Sequence, residues 1–253
     1  MLHKSDVVST IMRLISWNVN SIRARMENFL KIAKEYAPDI FLLQETRVED
    51  SLFPLEYFED LGYNVAIKGQ KGRNGVAICS RHMLEEVKSD FCEEARYLEA
   101  FSGGIFIASV YVPNGQEIDT APYYYKLDFL QKLKDKFLDF KDEIFIAGGD
   151  FNVAPRAEDV YIADYKGIAA SLRERELLKA IREAGFQDIL EDKGYTWWDY
   201  RHRGFLQDHG FRLDQFYLSE KAHNIFNNGD VIRSARKLER PSDHAPILCE
   251  LGI

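Results

Sequence analysis

The sequence lacks the features that would place it outside the cell or in a membrane. It has only three cysteines, Cys79, Cys92 and Cys249, each in an apolar setting and none at paired or metal-ligand spacing. That excludes a disulfide scaffold or a zinc module and leaves reduced core thiols in a reducing compartment. No apolar run approaches bilayer-spanning length. The first twelve residues hold no signal-type apolar region, since Val7-Val8 is followed at once by Ser9-Thr10. A cytoplasmic location without a membrane partner is the resulting expectation. There is no Gly-, Pro- or Ser-rich linker, no low-complexity tract, no run of like charge and no short repeat. One domain over residues 13–253 is expected, as a monomer, behind a mobile extension over residues 1–12. An excess of positive charge is also missing: the formal net charge is −8. This argues against bulk adhesion to a polyanion, but not against a focused site with local basic groups and divalent cations. There is no P-loop, and no serine or cysteine elbow, so direct attack by water is favoured over a covalent intermediate.

What is present is α/β patterning. The chain is 253 residues long and 46% hydrophobic, enough for a sizeable core. An apolar strand over 13–17 is followed by a helix with Ile22, Met26, Phe29, Leu30 and Ala33 on one face. It stops before Pro38, and a second strand covers 39–43. Four short β-branched and aromatic runs follow at 63–67, 75–79, 97–101 and 105–112, read as antiparallel strands. Helices are expected over 122–140 and 173–184, and strands over 144–147, 212–219 and 247–251. Strand-then-helix order in both halves suggests a loosely duplicated sandwich of mixed sheets.

The chemistry gathers where strands end. Gly149-Asp150-Phe151-Asn152 follows a buried strand and places an acid and an amide two residues apart, on the same side of an extended chain. Asn18, Glu45 and Tyr111 also end strands; Asp214 lies within one, and Asp243-His244 precedes the last. Strand ends in α/β sheets expose side chains on a rigid support. Each residue has an ordinary reading too: Asp150 and Asn152 as turn formers, Asn18 as a helix cap, Glu45 as a solvated carboxylate, Tyr111 as packing, His244 as a structural histidine. Those readings are independent, and needing all six together makes them jointly improbable. Asn18 and Glu45 supply hard oxygen ligands of the kind Mg²⁺ takes. Asp214 could orient His244 and favour its imidazolium, which would then donate to a phosphate oxygen. The residues alone thus point to a Mg²⁺-assisted phosphate-ester hydrolase.

Six segments carry a closer likeness: Ser16-Trp17-Asn18-Val19-Asn20, Leu43-Gln44-Glu45-Thr46, Tyr111-Val112-Pro113-Asn114-Gly115, Gly149-Asp150-Phe151-Asn152, Arg212-Leu213-Asp214 and Ser242-Asp243-His244-Ala245-Pro246. In this order, from about residue 13 to the C-terminus, the chain resembles the exonuclease III family of apurinic/apyrimidinic endonucleases. That family lies within the endonuclease/exonuclease/phosphatase superfamily. Trp197-Trp198-Asp199-Tyr200-Arg201 and Gly69-Gln70-Lys71-Gly72 match its bacterial pattern.

The resemblance implies a four-layer α/β sandwich, two packed mixed sheets flanked by helices. It implies Mg²⁺-dependent hydrolysis of double-stranded DNA on the 5′ side of abasic sites during base excision repair, with Mn²⁺ able to substitute. Removal of blocked 3′ ends and 3′-5′ exonuclease action would accompany it. Glu45, helped by Asn18, would hold the cation, and Asp150, Asn152, Asp243 and His244 would serve a neighbouring metal or phosphate site. Asp150 or Tyr111 would take the proton of water, Asn152 would steady the transition state, and Asp214 would orient His244 onto the phosphate. Trp197, Trp198 and Phe211 would line a pocket for the flipped sugar. Asn114, Lys71, Arg73, Asn74, Arg201 and Arg203 are candidate DNA contacts. Two segments that the likeness places near DNA are short, 115–123 (with Glu117 and Asp119) and 153–172. The other superfamily substrates (phosphoinositides, sphingomyelin, RNA tails) and a non-catalytic DNA-binding role are the alternatives.

Overall fold

The computed structural model describes residues 10–161 and 169–253. Two six-stranded sheets organise the described residues. In the first, β1 (Ile11–Asn18) runs parallel to β2 (Ile40–Gln44). Antiparallel strands extend it on both sides: β4 (Val76–Ser80) then β3 (Asn64–Lys68) beyond β2, and β12 (Ile247–Gly252) then β11 (Phe226–Val231) beyond β1. The second sheet repeats the plan. Its parallel centre is β7 (Ile105–Tyr111) beside β8 (Phe145–Asp150). Outside β7 come β6 (Tyr97–Ser102) and β5 (Glu85–Lys88), and outside β8 come β10 (Asp214–Leu218) and β9 (Gln187–Asp188).

A parallel pair needs a crossover, and a helix supplies it in each sheet. α1 (Met26–Tyr36) joins β1 to β2, and α3 (Ala121–Leu138) joins β7 to β8. α1 buries Phe29, Ile32 and Ala33, its i, i+3, i+4 face. Each of the two larger side chains contributes on the order of 1.5–3 kcal/mol. Pro38 lies two residues past the helix, beyond Ala37, which is left-handed (φ +43). Among the described residues four more α-helices are short or peripheral: α2 (Leu55–Asp60), α4 (Leu172–Glu183), α5 (Gly204–Gln207) and α6 (Glu220–Asn224).

The period of two along the central strands sorts side chains into layers. Met12 and Leu14, Ile40 and Leu42, Ile105 and Ile107, and Ile146 fill the space between the sheets. Ile15 and Trp17, with Phe41 and Leu43, pack outward toward α1 and α2. Ala108, Val110, Phe145 and Ala147 pack outward with α3 and α4. Helix, sheet, sheet, helix is the four-layer sandwich expected. Continued one or two steps further, the inner rows turn polar: Ser16 and Asn18, Gln44, Ser109 and Tyr111, Asp150. The inter-sheet core therefore grades into the site.

Two expectations at the ends of elements need correction. Residues 11 and 12 do not belong to an extension, because β1 already begins at Ile11 and Met12 is buried in the inter-sheet core. Thr10 and Ile253 exchange two backbone hydrogen bonds of 2.9 Å, which ties this start to the end of β12. Residues 1–9, and 162–168 of the short 153–172 segment, lie outside the described residues. The strand expected over 212–219 begins at Asp214, because the preceding backbone bonds to loops: Arg212 N–H to Asp159 and Leu213 N–H to the Thr196 hydroxyl. Patterning also missed β5 and β11, whose exposed, charged or amide-rich sequences lack an apolar row. The three cysteines are free thiols, with Cys79 and Cys249 buried.

Candidate active site at the strand ends

Asp150 is the last residue of β8 and is 1% exposed. The glycine before it is a packing requirement: a Cβ on Gly149 would stand 1.9 Å from the Val110 carbonyl oxygen of β7. Asn152 follows in a left-handed conformation (φ +52). Its backbone N–H donates to Asp150 Oδ1 at 2.9 Å, and its amide Nδ2 donates to Asp150 Oδ2 and to the Val112 carbonyl. Asn18 Nδ2, from the facing sheet, reaches the same Oδ2 at 2.9 Å. The amide nitrogen of Asn18 is therefore spent on two acids, Asp150 and Glu45, while its Oδ1 accepts from the Asn20 backbone N–H at 3.1 Å.

Glu45 lies one residue beyond β2, where regular alternation would turn it outward. Its positive φ (+51) brings it back to the inner side. There Oε1 accepts from Tyr111 Oη at 2.8 Å and from Asn18 Nδ2 at 3.0 Å. The Tyr111 hydroxyl is held far above the usual phenol range by burial and by the Glu45 and Asp150 carboxylates. It is a neutral donor. The Arg96 guanidinium lies over its ring at 4.8 Å.

Asp214 opens β10 and accepts from His244 Nδ1 at 2.8 Å. His244 Nε2 then faces Asp150 Oδ2 at 3.6 Å. Burial disfavours the imidazolium, but the Asp214 and Asp150 carboxylates outweigh it and push the His244 pKa up to about 10. Burial likewise lifts Asp150, against the opposing pull of His244, to about 7. Asp243 turns the other way: burial would raise it, yet His244, Asn20 and Trp197 hold it below the usual carboxylate range. Trp197 Nε1 donates to its Oδ2 at 3.0 Å, and Asn20 Nδ2 to its Oδ1 at 2.8 Å.

These groups surround a cavity of about 200 Å³. Glu45, Tyr111, Asp150, Asn152, Asp243 and His244 make its polar wall; Trp197, Phe211 and Leu213 make an apolar one, with Asn114 at the side. The donor set fits a divalent cation. Three carboxylates share the cavity with one imidazole, and among the described residues Asp214 Oδ1 is buried without a hydrogen-bond partner. Asp150, Asp214 and His244 each place one ligand-type atom within 4.8 Å of the others. Hard oxygens in excess negative charge suit an ion such as Mg²⁺.

Homology agrees with this geometry. Residues 15–244 match the Endonuclease/Exonuclease/phosphatase family. The chain belongs to this family. An exodeoxyribonuclease III of Haemophilus influenzae is 32% identical over 94% of this chain and 99% of its own length. An AP endonuclease from Archaeoglobus fulgidus superposes with a TM-score of 0.91 at 34% identity, covering 96% of this chain and all of its own. A 3′ phosphatase from Neisseria, bound to a product DNA hairpin, gives 0.91 at 30% identity over 95% and 99%. These relatives thus span nearly the whole chain, including every residue that lines the cavity.

Not every expected residue reaches the cavity. Trp198 is fully buried, its indole donating to Asp208 and packed edge-on against Phe205. Adjacent residues on extended chain point opposite ways, so only Trp197, tilted against Phe211 at 5.4 Å, belongs to the wall. Asn74 is also no surface contact: it is 6% exposed, left-handed (φ +48), and its amide reaches Glu94 at 3.2 Å inside the turn. Lys71, Arg73, Arg201 and Arg203 are exposed and do not line the cavity. Arg201 is held by Asp199 through its guanidinium at 2.6 Å, and Arg73 lies 4.0 Å from Glu94.

Sequence reasoning also missed a support layer. Gln44 Nε2 donates to Ser16 Oγ and Ser109 Oγ, a polar floor under the site. Lys126 is fully buried, with Nζ 2.5 Å from Glu174 and donating to the backbone carbonyls of Asn152 (2.6 Å) and Asn114 (3.2 Å). Glu174 in turn closes a capping box with Ser171. One signal was available: Lys126 sits in the apolar stripe Tyr123, Phe129, Leu130, Leu133 of α3. A cation there needs a buried partner.

Proposed function

We propose that the chain is a divalent-cation-dependent DNA repair nuclease. It hydrolyses the backbone 5′ to abasic sites in double-stranded DNA and trims blocked 3′ ends and 3′ termini. The names of its relatives supply the DNA substrate. The observation that carries the chemistry is the Asp214–His244–Asp150 alignment beside Asn152, on the floor of a cavity with an aromatic wall. Mg²⁺ is the expected ion, with Mn²⁺ as substitute, held by Glu45 with Asn18; bound there it supplies Lewis-acid neutralisation of phosphate charge.

Asp150 is the base. Its pKa of about 7 suits proton removal from water near neutrality, and the Asn152 and Asn18 donors fix its carboxylate. Tyr111 is not the base, because its phenol is kept neutral and already donates to Glu45. His244, protonated and oriented by Asp214, donates from Nε2 to a phosphate oxygen. Asn152 exchanges its amide contact with Asp150 for the oxygen that gains charge at phosphorus. Trp197 and Phe211 take the flipped abasic sugar, and a sugar that still carries its base meets them as an obstacle. Asp243 and Asn114 shape the phosphate side, and Lys71, Arg73, Arg201 and Arg203 meet the duplex backbone. A cytoplasmic monomer fits this role.

The test is cleavage of a duplex with one tetrahydrofuran abasic analogue, with Mg²⁺ and with chelator. A nick leaving a 3′-hydroxyl, abolished by chelator, is expected. An intact duplex, with turnover of a phosphoinositide or an RNA tail instead, would overturn the assignment.

A further inference from the structure

Glu45 is crowded. A carboxylate oxygen offers about two lone-pair sites. Oε1 uses both, on Tyr111 and Asn18. Oε2 is taken by the fork of Arg47: Nε donates at 2.7 Å, and a terminal nitrogen of the same guanidinium also contacts it. A cation held through Glu45 must displace one of these donors.

The donors are not equally replaceable. Asn18 is buried and also bound to Asp150. Tyr111 is clamped between Glu45 and the Arg96 guanidinium. Arg47 differs from both. Its side chain is 41% exposed against 13% for Glu45. Among the described residues, its guanidinium is bonded to Glu45 alone. Its backbone is fixed, left-handed (φ +54) with its N–H on the Asn74 carbonyl at 2.9 Å, so the side chain can leave without moving the loop.

We propose that Arg47 is an internal competitor for the catalytic cation: its guanidinium occupies Glu45 Oε2 in the cation-free protein and swings into solvent when a divalent ion takes that oxygen. The proposal rests on Glu45 being the cation's carboxylate, as above, but not on DNA being the substrate. The cation is neutralised by a carboxylate in one state and the guanidinium by the same carboxylate in the other. Buried charge therefore stays balanced in the metal-free protein, where Glu45 would otherwise add to Asp150 and Asp243 in one cavity. The cost is metal affinity. Two ligands that compete for one group are negatively coupled, and couplings between linked sites run to about 5–150-fold.

The experiment is Mn²⁺ binding to the full chain without DNA, followed by electron paramagnetic resonance, for wild type, Arg47→Met, Arg73→Met and Glu45→Gln. Arg47→Met should bind Mn²⁺ at least about fivefold tighter. Arg73→Met removes an exposed positive charge without touching Glu45 and should bind as wild type. Glu45→Gln should lose the site. A second readout follows the Arg47 side-chain Nε–H by ¹⁵N NMR during a Mg²⁺ titration. Its signal should move from a bonded to a solvent-exchanging state in step with occupancy. Arg47→Met binding no tighter than wild type, or an Nε–H signal unchanged at saturating Mg²⁺, overturns the proposal. Equal tightening in Arg73→Met would do so as well, since it would mean diffuse charge rather than competition. Failure to nick an abasic duplex would instead fall on the nuclease reading and leave the binding result standing.

Discussion

The two sheets are built to one plan and end differently. In each, a parallel central pair is flanked by antiparallel strands, and the pair's ends face the other sheet's. β1 ends in Asn18 where β7 ends in Tyr111, and each reaches diagonally across to the other sheet's acid: Asn18 to Asp150, Tyr111 to Glu45. The acids are not equivalent, however. Asp150 pairs in register with Tyr111, whereas the residue in register with Asn18 is Gln44. Glu45 comes one residue later and reaches the site only through its left-handed backbone. The in-register acid is sealed in and met by His244. The displaced acid opens toward solvent and is met by Arg47. A buried carboxylate with a raised pKa is suited to proton transfer, and a more open one to holding an exchangeable cation. In the proposed mechanism, duplicated architecture thus yields two roles from a one-residue shift.

The strongest way to break this division is to neutralise the sealed acid. Asp150→Asn should reduce the rate of abasic-site incision on the order of 10⁴-fold, the upper range for loss of a general base. The same change should raise the melting temperature without metal at pH 8. A folded pKa of about 7, raised by burial from the 3.8 of a free aspartate, means that ionised Asp150 opposes folding. The relative stability is intact below about pH 4 and is lost as pH rises through about 7. Calorimetry on either side of that window checks the sign. An unchanged incision rate, or a lower melting temperature at pH 8, would mean that Asp150 is structural.

Cutting the diagonals should cost less. Tyr111→Phe removes one donor from Glu45, and Asn18→Ala removes donors from both acids. Losses of about 10–100-fold are expected, as for residues that orient a ligand rather than react. Tyr111→Phe should act mainly through the cation concentration giving half-maximal rate, while Asn18→Ala should also lower the saturated rate. Titrating Mg²⁺ in incision assays separates the two. If both variants shift only the cation requirement, the acids have no division of roles.

How much of this was legible depends on which physics sets each residue. Strand-then-helix order in both halves carried the sandwich of mixed sheets, because a parallel central pair needs a helical crossover, and the likeness supplied its four layers. Asp150, Asp214 and His244 drew notice because polar groups at the end of, within or just before apolar runs need a reason. Trp198 was misjudged: the sequence shows an aromatic pair, but which indole faces the cavity is set by the local backbone and by Asp208, ten residues away. Asn74 was misjudged because a turn amide and a phosphate-binding amide look alike in sequence. The pairing of Lys126 with Glu174 spans 48 positions, and no local pattern announces it, although its place on an apolar helix face could have prompted the search. Glu45 was legible as a hard-oxygen group at a strand end, but the φ that brings it inward is not written in residue type.

The pH profile sharpens the comparison at a smaller scale. At limiting cation, kcat/KM should rise tenfold per pH unit below about pH 7 as Asp150 loses its proton, and stay high until His244 begins to deprotonate near pH 10. A divalent ion bound nearby favours the ionised carboxylate, so saturating Mg²⁺ should move the acidic limb to lower pH. An acidic limb fixed in position at every Mg²⁺ concentration would place the titrating acid beyond the cation's reach.

The smallest effects belong to the exposed basic groups around the two sheets: Lys71 and Arg73 from the turn between β3 and β4, Arg201 and Arg203 from the tight turn before α5. All are exposed, so replacing one with alanine should leave the melting temperature nearly unchanged. Each residue that meets a phosphate should lower the salt slope of duplex binding by about one. Arg201 is held by Asp199 at 2.6 Å, whereas Arg73 is 4.0 Å from its nearest acid. Arg73→Ala should therefore weaken binding more than Arg201→Ala, since a guanidinium already paired gains less from a phosphate. Filter binding of an abasic-analogue duplex to a cleavage-dead variant, over a range of salt, measures both slopes. A larger loss at Arg201 would mean that the duplex leans on the turn before α5, with the cation side of the cavity left open.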